Sequence, residues 1–168
     1  RKVMETVREA LPPEKRMIVG TGLESTHATA MQNDVAAEVG ADAVLVITPN
    51  YYRSKMDGVA MITHYTSLAE TSPLPLFIYN MPGNTGIDLA AETILEIGQH
   101  PNVIGIKDSS GNIVKMGAVI AAAPDHFKVY AGSASFLYPA MALGAVGGVM
   151  ALGNIAPDLC TDLYQYSA

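Results

Sequence analysis

"VIGIKDSSGNI", residues 103–113, decides the fold. Val103, Ile104 and Ile106 make an apolar run without polar alternation, the pattern of a strand covered on both faces. Asp108, Ser109, Ser110 and Gly111 read as a turn into a helix. One lysine, Lys107, closes the run. Burying an ammonium group is costly unless something pairs with it or uses it. The stretch is therefore a strand–helix unit with an unexplained cation at its joint.

The rest of the chain repeats the unit. Strands are expected at 16–22 ("RMIVGTG"), 43–49 ("AVLVITP"), 74–80 ("LPLFIYN"), 102–108, 127–133 ("FKVYAGS") and 146–152 ("VGGVMAL"). Each precedes an expected helix, at 25–41, 57–70, 90–100, 112–123, 135–144 and 156–166. Ser25 or Thr26 is the N-cap of the first of these and Gly40 its stop signal. A further amphipathic helix opens the chain at 1–11, with Val3, Met4, Val7 and Leu11 on one side. Six strand–helix units with short loops imply an α/β fold, either a TIM (β/α)8 barrel or an open doubly wound sheet. No G-x-G-x-x-G opens a helix after a strand, so a dinucleotide site has no support. The simplest arrangement is one partial TIM-barrel domain over residues 1–168, a fragment with about six of eight units, lacking the first two strands and whatever follows the last helix.

Composition narrows the function. Lys and Arg number 10 against 16 Asp and Glu, for a net charge of -6 without a basic cluster, so nucleic acid is not an expected partner. No apolar stretch approaches the roughly 20 residues of a membrane span, and no signal peptide is visible. The single Cys160 forms no internal disulfide, in keeping with a reducing compartment: the cytoplasm, or the mitochondrial matrix in a eukaryote.

In a TIM barrel the chemistry gathers at the C-terminal ends of the strands. Those positions hold Lys107, three tyrosines (Tyr51, Tyr52 and Tyr79) and several hydroxyl and amide side chains, but no histidine. A lysine desolvated at a strand end is suited to attack a ketone and form a Schiff base, an electron sink for making or breaking a carbon–carbon bond. A neighbouring phenol such as Tyr79 is suited to carry protons. The plainer alternatives are a lysine that pairs with Asp108 or reaches to water, and a tyrosine that fills the core at the barrel rim. His27, His64, His100 and His126 fall away from the strand ends and read as scattered surface residues, so the chemistry expected uses no metal or other cofactor. Gly147 and Gly148 read as packing glycines, since no cation accompanies them as a phosphate site requires.

Taken together, "YNMPGNTG" (79–86), "GIKDSSGN" (105–112), "AGSASF" (131–136) and "ALGAVGGVMALGNIAP" (142–157) resemble the dihydrodipicolinate synthase / N-acetylneuraminate lyase superfamily of class I aldolases. The resemblance runs from "GTG" at 20–22 through the last helix. It implies a TIM barrel, a homotetramer built as a dimer of dimers, and action on pyruvate or other 2-oxo acids. It implies Lys107 as the Schiff-base lysine and Tyr79 as the proton relay. Tyr51, in "TPNYYR", matches a tyrosine that such enzymes share across a subunit interface, and Gly132 and Val149 match positions that shape the pyruvyl pocket. The family's G-[ST]-x-G-E carboxylate-binding segment belongs to the first two strands and is not in this chain. Dihydrodipicolinate synthases carry arginine in a Y-N-x-P-x-R-T-G loop where this chain has Asn84, and an amide does not replace a guanidinium fork. "NTGIDL", "YYR", "KDSSG" and "AGSASFL" look more like the 4-hydroxy-2-oxoglutarate aldolase branch, in which Asn84 and Ser109 would meet the distal part of the substrate. Dihydrodipicolinate synthase, a 2-keto-3-deoxy sugar-acid aldolase and an inactive 2-oxo-acid-binding homologue are the alternatives.

Overall fold

The computed structural model describes residues 1–167. Six strands form one parallel sheet in chain order: β1 (Ile18–Gly20), β2 (Ala43–Ile47), β3 (Leu76–Asn80), β4 (Val103–Asp108), β5 (Lys128–Ala131) and β6 (Gly147–Gly148). The helices are α1 (Lys2–Ala10), α2 (Thr26–Glu38), α3 (Gly58–Thr71), α4 (Pro82–Thr85), α5 (Ala91–Ile97), α6 (Ile113–Ala122), α7 (Leu137–Ala142) and α8 (Pro157–Ser167). Strand order equal to chain order, with a helical crossover between strands, is six of the eight units of a TIM barrel, left open at β1 and β6.

Side chains alternate across the sheet. Val44, Val46, Leu76, Ile78, Val103, Ile106 and Ala131 point outward and are sealed under the helices. The concave face carries Ile18, Leu45, Phe77, Tyr79, Lys107 and Tyr130. It is less covered: Ile18 is 47% exposed. Both faces read as apolar in the sequence because both line a core in a closed barrel, whereas in this sheet only the outer one is roofed.

The caps follow the local chemistry. The Ser25 hydroxyl accepts from Ala28 N at 3.1 Å, Asp57 caps α3 through Ala60 N at 2.9 Å, and Asn112 caps α6 through Lys115 N at 3.0 Å. Gly40, at φ +86°, takes the left-handed conformation that stops α2.

Four expectations are corrected. The strand expected at 146–152 pairs only at Gly147 and Gly148, because beyond Val149, whose N–H donates to Ala131 O, the chain coils into a 3-10 turn at 151–154. The apolar side of α1 is only half used: Met4 and Leu11 touch the core, while Val3 and Val7 stay exposed. The loop after β3 holds a one-turn helix, α4, that its turn-like composition hid. His64 is no surface residue. It lies under α2 with Nδ1 2.8 Å from Thr26 Oγ1, its Nε2 has no partner among the described residues, and burial lowers its pKa to about 4. His27 and His126 are exposed, as expected.

Candidate active site

β3 and β4 pair with Tyr79 opposite Lys107 and Asn80 opposite Asp108. Alternation sends the first pair into the concave face and the second behind it. Lys107 Nζ lies over the Tyr79 ring, 4.1 Å from its centroid, the geometry in which a ring face attracts an ammonium group. Lys107 does not pair with Asp108, because adjacent residues on a strand face opposite ways. Among the described residues no carboxylate pairs with it at all.

Beside Lys107 is a cavity of about 130 Å³ lined by Ile18, Leu45, Phe77, Tyr130 and Val149, in which the lysine is the one charged side chain. Phe77 and Tyr130 meet edge to face at 5.6 Å, from the strands on either side of β4. Gly105 stands between those strands, and a Cβ there would fall 2.1 Å from Lys128 O, so glycine is required for β4 and β5 to approach.

Behind the strand ends is a polar brace, buried at Asn80 and Asp108 and open to solvent at Asp88. Asn80 Nδ2 donates to Asp88 Oδ1 at 2.8 Å and to Asp108 Oδ1 at 3.1 Å, while Asn80 Oδ1 accepts from Leu89 N at 3.1 Å. Lys115 reaches both carboxylates, Asp108 at 3.3 Å and Asp88 in closer contact, and its side chain is only 9% exposed. Ser109 N donates to Asn80 O, Ser110 N to Asp108 Oδ1 and Gly132 N to Asp108 O, at 2.8, 2.7 and 2.8 Å. The residues immediately after Tyr79 and Lys107 are thus tied to each other and to the loops that follow. Sequence reasoning missed Asn80, Asp88 and Lys115; the signal available, a polar residue directly after Tyr79 and after Lys107, points to Asn80 and Asp108 only.

The other expected site residues are placed less uniformly. Gly132 is at the end of β5, where a Cβ would fall 1.9 Å from Ser109 Oγ and 2.9 Å from Asp108 O. Ser109 Oγ is itself buried against that glycine, without a partner among the described residues. Val149 lines the cavity beside Lys107. Asn84 is exposed on α4, in the loop that follows Tyr79. Tyr51 is 76% exposed on the loop after β2, packed edge to face on Tyr52 at 5.0 Å, and does not line the Lys107 cavity.

Among the described residues no cluster of three or more His, Cys, Asp or Glu side chains is placed to hold a metal ion. No helix among them is long and apolar enough to cross a membrane.

The model of the dihydrodipicolinate synthetase family matches residues 1–168. A 4-hydroxy-tetrahydrodipicolinate synthase from Exiguobacterium sp. is 40% identical over 149 residues, which are 89% of this chain and 50% of that protein. A protein named "Probable 4-hydroxy-2-oxoglutarate aldolase, mitochondrial" from Emericella nidulans is 37% identical over 150 residues, 89% of this chain and 48% of that protein. The dihydrodipicolinate synthase of Acinetobacter baumannii, solved in complex with pyruvate, superposes with a TM-score of 0.90 at 33% identity, over 99% of this chain and 59% of that one. The chain spans about half the length of the curated relatives it matches.

Proposed function

The chain belongs to the dihydrodipicolinate synthetase family, and from that premise we propose that the full-length protein is a Schiff-base aldolase acting on pyruvate-derived 2-oxo acids, with 4-hydroxy-2-oxoglutarate as its substrate. The observation that carries this reading is Lys107 Nζ, free of any carboxylate among the described residues, lying over the Tyr79 ring beside an otherwise uncharged cavity.

In this reading the Lys107 amine adds to the C2 ketone, and loss of water leaves an iminium ion. The C4 hydroxyl gives up its proton, the C3–C4 bond breaks, and its electron pair moves into the iminium to give an enamine. Glyoxylate departs. A proton delivered to C3 and hydrolysis of the imine release pyruvate and restore the amine. The hydroxyl of Tyr79, whose ring lies under the amine, carries these protons. The Gly132 backbone and Val149 bound the pyruvyl end, Asn84 and Ser109 serve the distal end, and Tyr51 serves the site of a neighbouring subunit in a homotetramer. The exposure of Tyr51 in this chain supports that last role. No cofactor enters the scheme.

Borohydride added with pyruvate should fix a lactyl group on the peptide that holds Lys107. Labelling that persists in Lys107→Ala would refute the assignment. The second reading, 4-hydroxy-tetrahydrodipicolinate synthase, is favoured by the Exiguobacterium relative. Asn84, in place of the arginine of that loop pattern, favours the first.

A further inference from the structure

Arg53 follows the exposed Tyr51–Tyr52 pair and opens the 3-10 turn at 53–55. Its side chain crosses to the neighbouring loop, the one after Tyr79. A Cβ on Gly86 would fall 2.7 Å from Arg53 Nη1 and 2.9 Å from Cζ. Gly86 ends α4 at φ +67°, two residues beyond Asn84. Glycine is needed there for the left-handed backbone, and it lets the guanidinium lie directly against the loop. Among the described residues no carboxylate pairs with Arg53. Glu24, the carboxylate that touches this loop, accepts instead from Asn50 N and Tyr51 N at 2.8 Å each, holding the backbone from which Arg53 extends.

We infer that Arg53 is the cation that receives the distal carboxylate of the substrate. The inference rests on the aldolase reading of Lys107 and Tyr79. A substrate anchored as an iminium on Lys107 has its far end at the mouth of the strands, where the loops after β2 and β3 meet. In 4-hydroxy-2-oxoglutarate that end is a carboxylate, charged before and after the carbon–carbon bond breaks. Asn84 offers it neutral hydrogen bonds only. The Arg53 guanidinium, laid against the same loop, offers a permanent charge and a planar fork of donors. The positive charge that the loop lacks in its own sequence is supplied from the adjacent loop, which accounts for an unpaired arginine packed on a glycine beside Asn84.

The test compares two substrates with one reacting centre: 4-hydroxy-2-oxoglutarate and 4-hydroxy-2-oxopentanoate, in which a methyl group replaces the distal carboxylate. Pyruvate release by the full-length protein reads both. Arg53→Gln should lower kcat/KM for the dicarboxylate by roughly 10–100-fold, the worth of a charge-assisted hydrogen bond. The loss on the methyl analogue should be at least tenfold smaller by the same argument. Arg53→Lys, which keeps the charge and loses the fork, should fall between. Equal losses on both substrates, or no loss on the dicarboxylate, would overturn the assignment. Borohydride with pyruvate separates the two levels of the argument. Wild-type protein that is not labelled at Lys107 overturns the aldolase reading and this inference with it. Labelled protein whose substrate ratio ignores Arg53 overturns this inference alone.

Discussion

Asp108 and Lys115 meet 3.3 Å apart directly behind the strand ends that present Tyr79 and Lys107. Lys115 is the cation between two carboxylates, Asp108 and Asp88, which also share the Asn80 amide. Lys115→Met leaves those like charges facing each other, with Asp108 only 2% exposed. It should lower stability by about 3 kcal/mol, the usual cost of orphaning a buried charge, and slow pyruvate trapping at Lys107. Lys115→Arg should keep most of both, and adding Asp108→Asn to Lys115→Met should restore part of the loss. Melting temperature and trapping rate check this; a Lys115→Met protein equal to wild type in both would show the brace to be idle.

His64 sets a pH dependence of stability. Burial favours its neutral form and lowers its pKa to about 4, from 6.5 in the unfolded chain. Between those values the unfolded chain binds the proton and the folded chain does not, so stability rises with pH through the window. The contribution is complete above pH 6.5, is lost as pH falls toward 4, and amounts to roughly 3 kcal/mol over the window. His64→Gln should flatten the fall in melting temperature between pH 7 and 4.5 relative to wild type. Parallel curves for the two proteins would show that His64 is protonated without cost.

Tyr79→Phe removes one hydroxyl and keeps the ring over which Lys107 Nζ sits. Folding and borohydride trapping should persist, while turnover falls by roughly 10²–10⁴-fold if the hydroxyl relays protons. Unchanged turnover with a lowered melting temperature would make Tyr79 a core aromatic and no more.

Gly132→Ala sets a methyl group 1.9 Å from Ser109 Oγ and 2.8 Å from Ser109 Cβ. It should cost about 1–3 kcal/mol, as overpacking does, and disturb the pocket wall. Ser109→Gly in the same chain removes both atoms and should recover part of the stability, though Asp108 O at 2.9 Å remains in the way. Additive losses in a double-mutant cycle would show that the two residues do not press on each other.

Much of the fold was legible because its signal is local. Apolar runs such as Val103–Ile106 alternate with capped helices, and the caps are single residues such as Ser25 and Asp57. Lys107 and Tyr79 stand out as candidates for the same reason, each next to the last residue of its strand. What depends on distant neighbours was not. His64 sits in an ordinary helix, and only the packing of α2 over α3 buries it. The brace joins Asn80, Asp88, Asp108 and Lys115 from β3, the loop before α5, β4 and α6, with no periodic spacing to announce it. β6 was read too long because "VGGVMAL" is apolar throughout, yet its pairing with β5 ends at Ala131.

In the proposed aldolase reading, substrate choice turns on Asn84. It is exposed on the loop that follows Tyr79, where it offers neutral hydrogen bonds and no charge. With no arginine at position 84 to hold the semialdehyde, the full-length protein should cleave 4-hydroxy-2-oxoglutarate and condense pyruvate with aspartate semialdehyde poorly. Asn84→Arg should move the ratio of kcat/KM toward the semialdehyde, since discrimination is differential binding of transition states. The movement should be modest, because a grafted guanidinium lacks supporting contacts and would be repelled by Arg53, which already lies against Gly86 two residues away. Arg53→Gln combined with Asn84→Arg should therefore shift the ratio further than Asn84→Arg alone. The deciding measurement is the wild-type ratio of kcat/KM for the two reactions under one set of conditions. A preference for the semialdehyde would make the protein a synthase with an altered loop. Inactivity toward both, with good cleavage of a 2-keto-3-deoxy sugar acid, would place it with the sugar-acid aldolases.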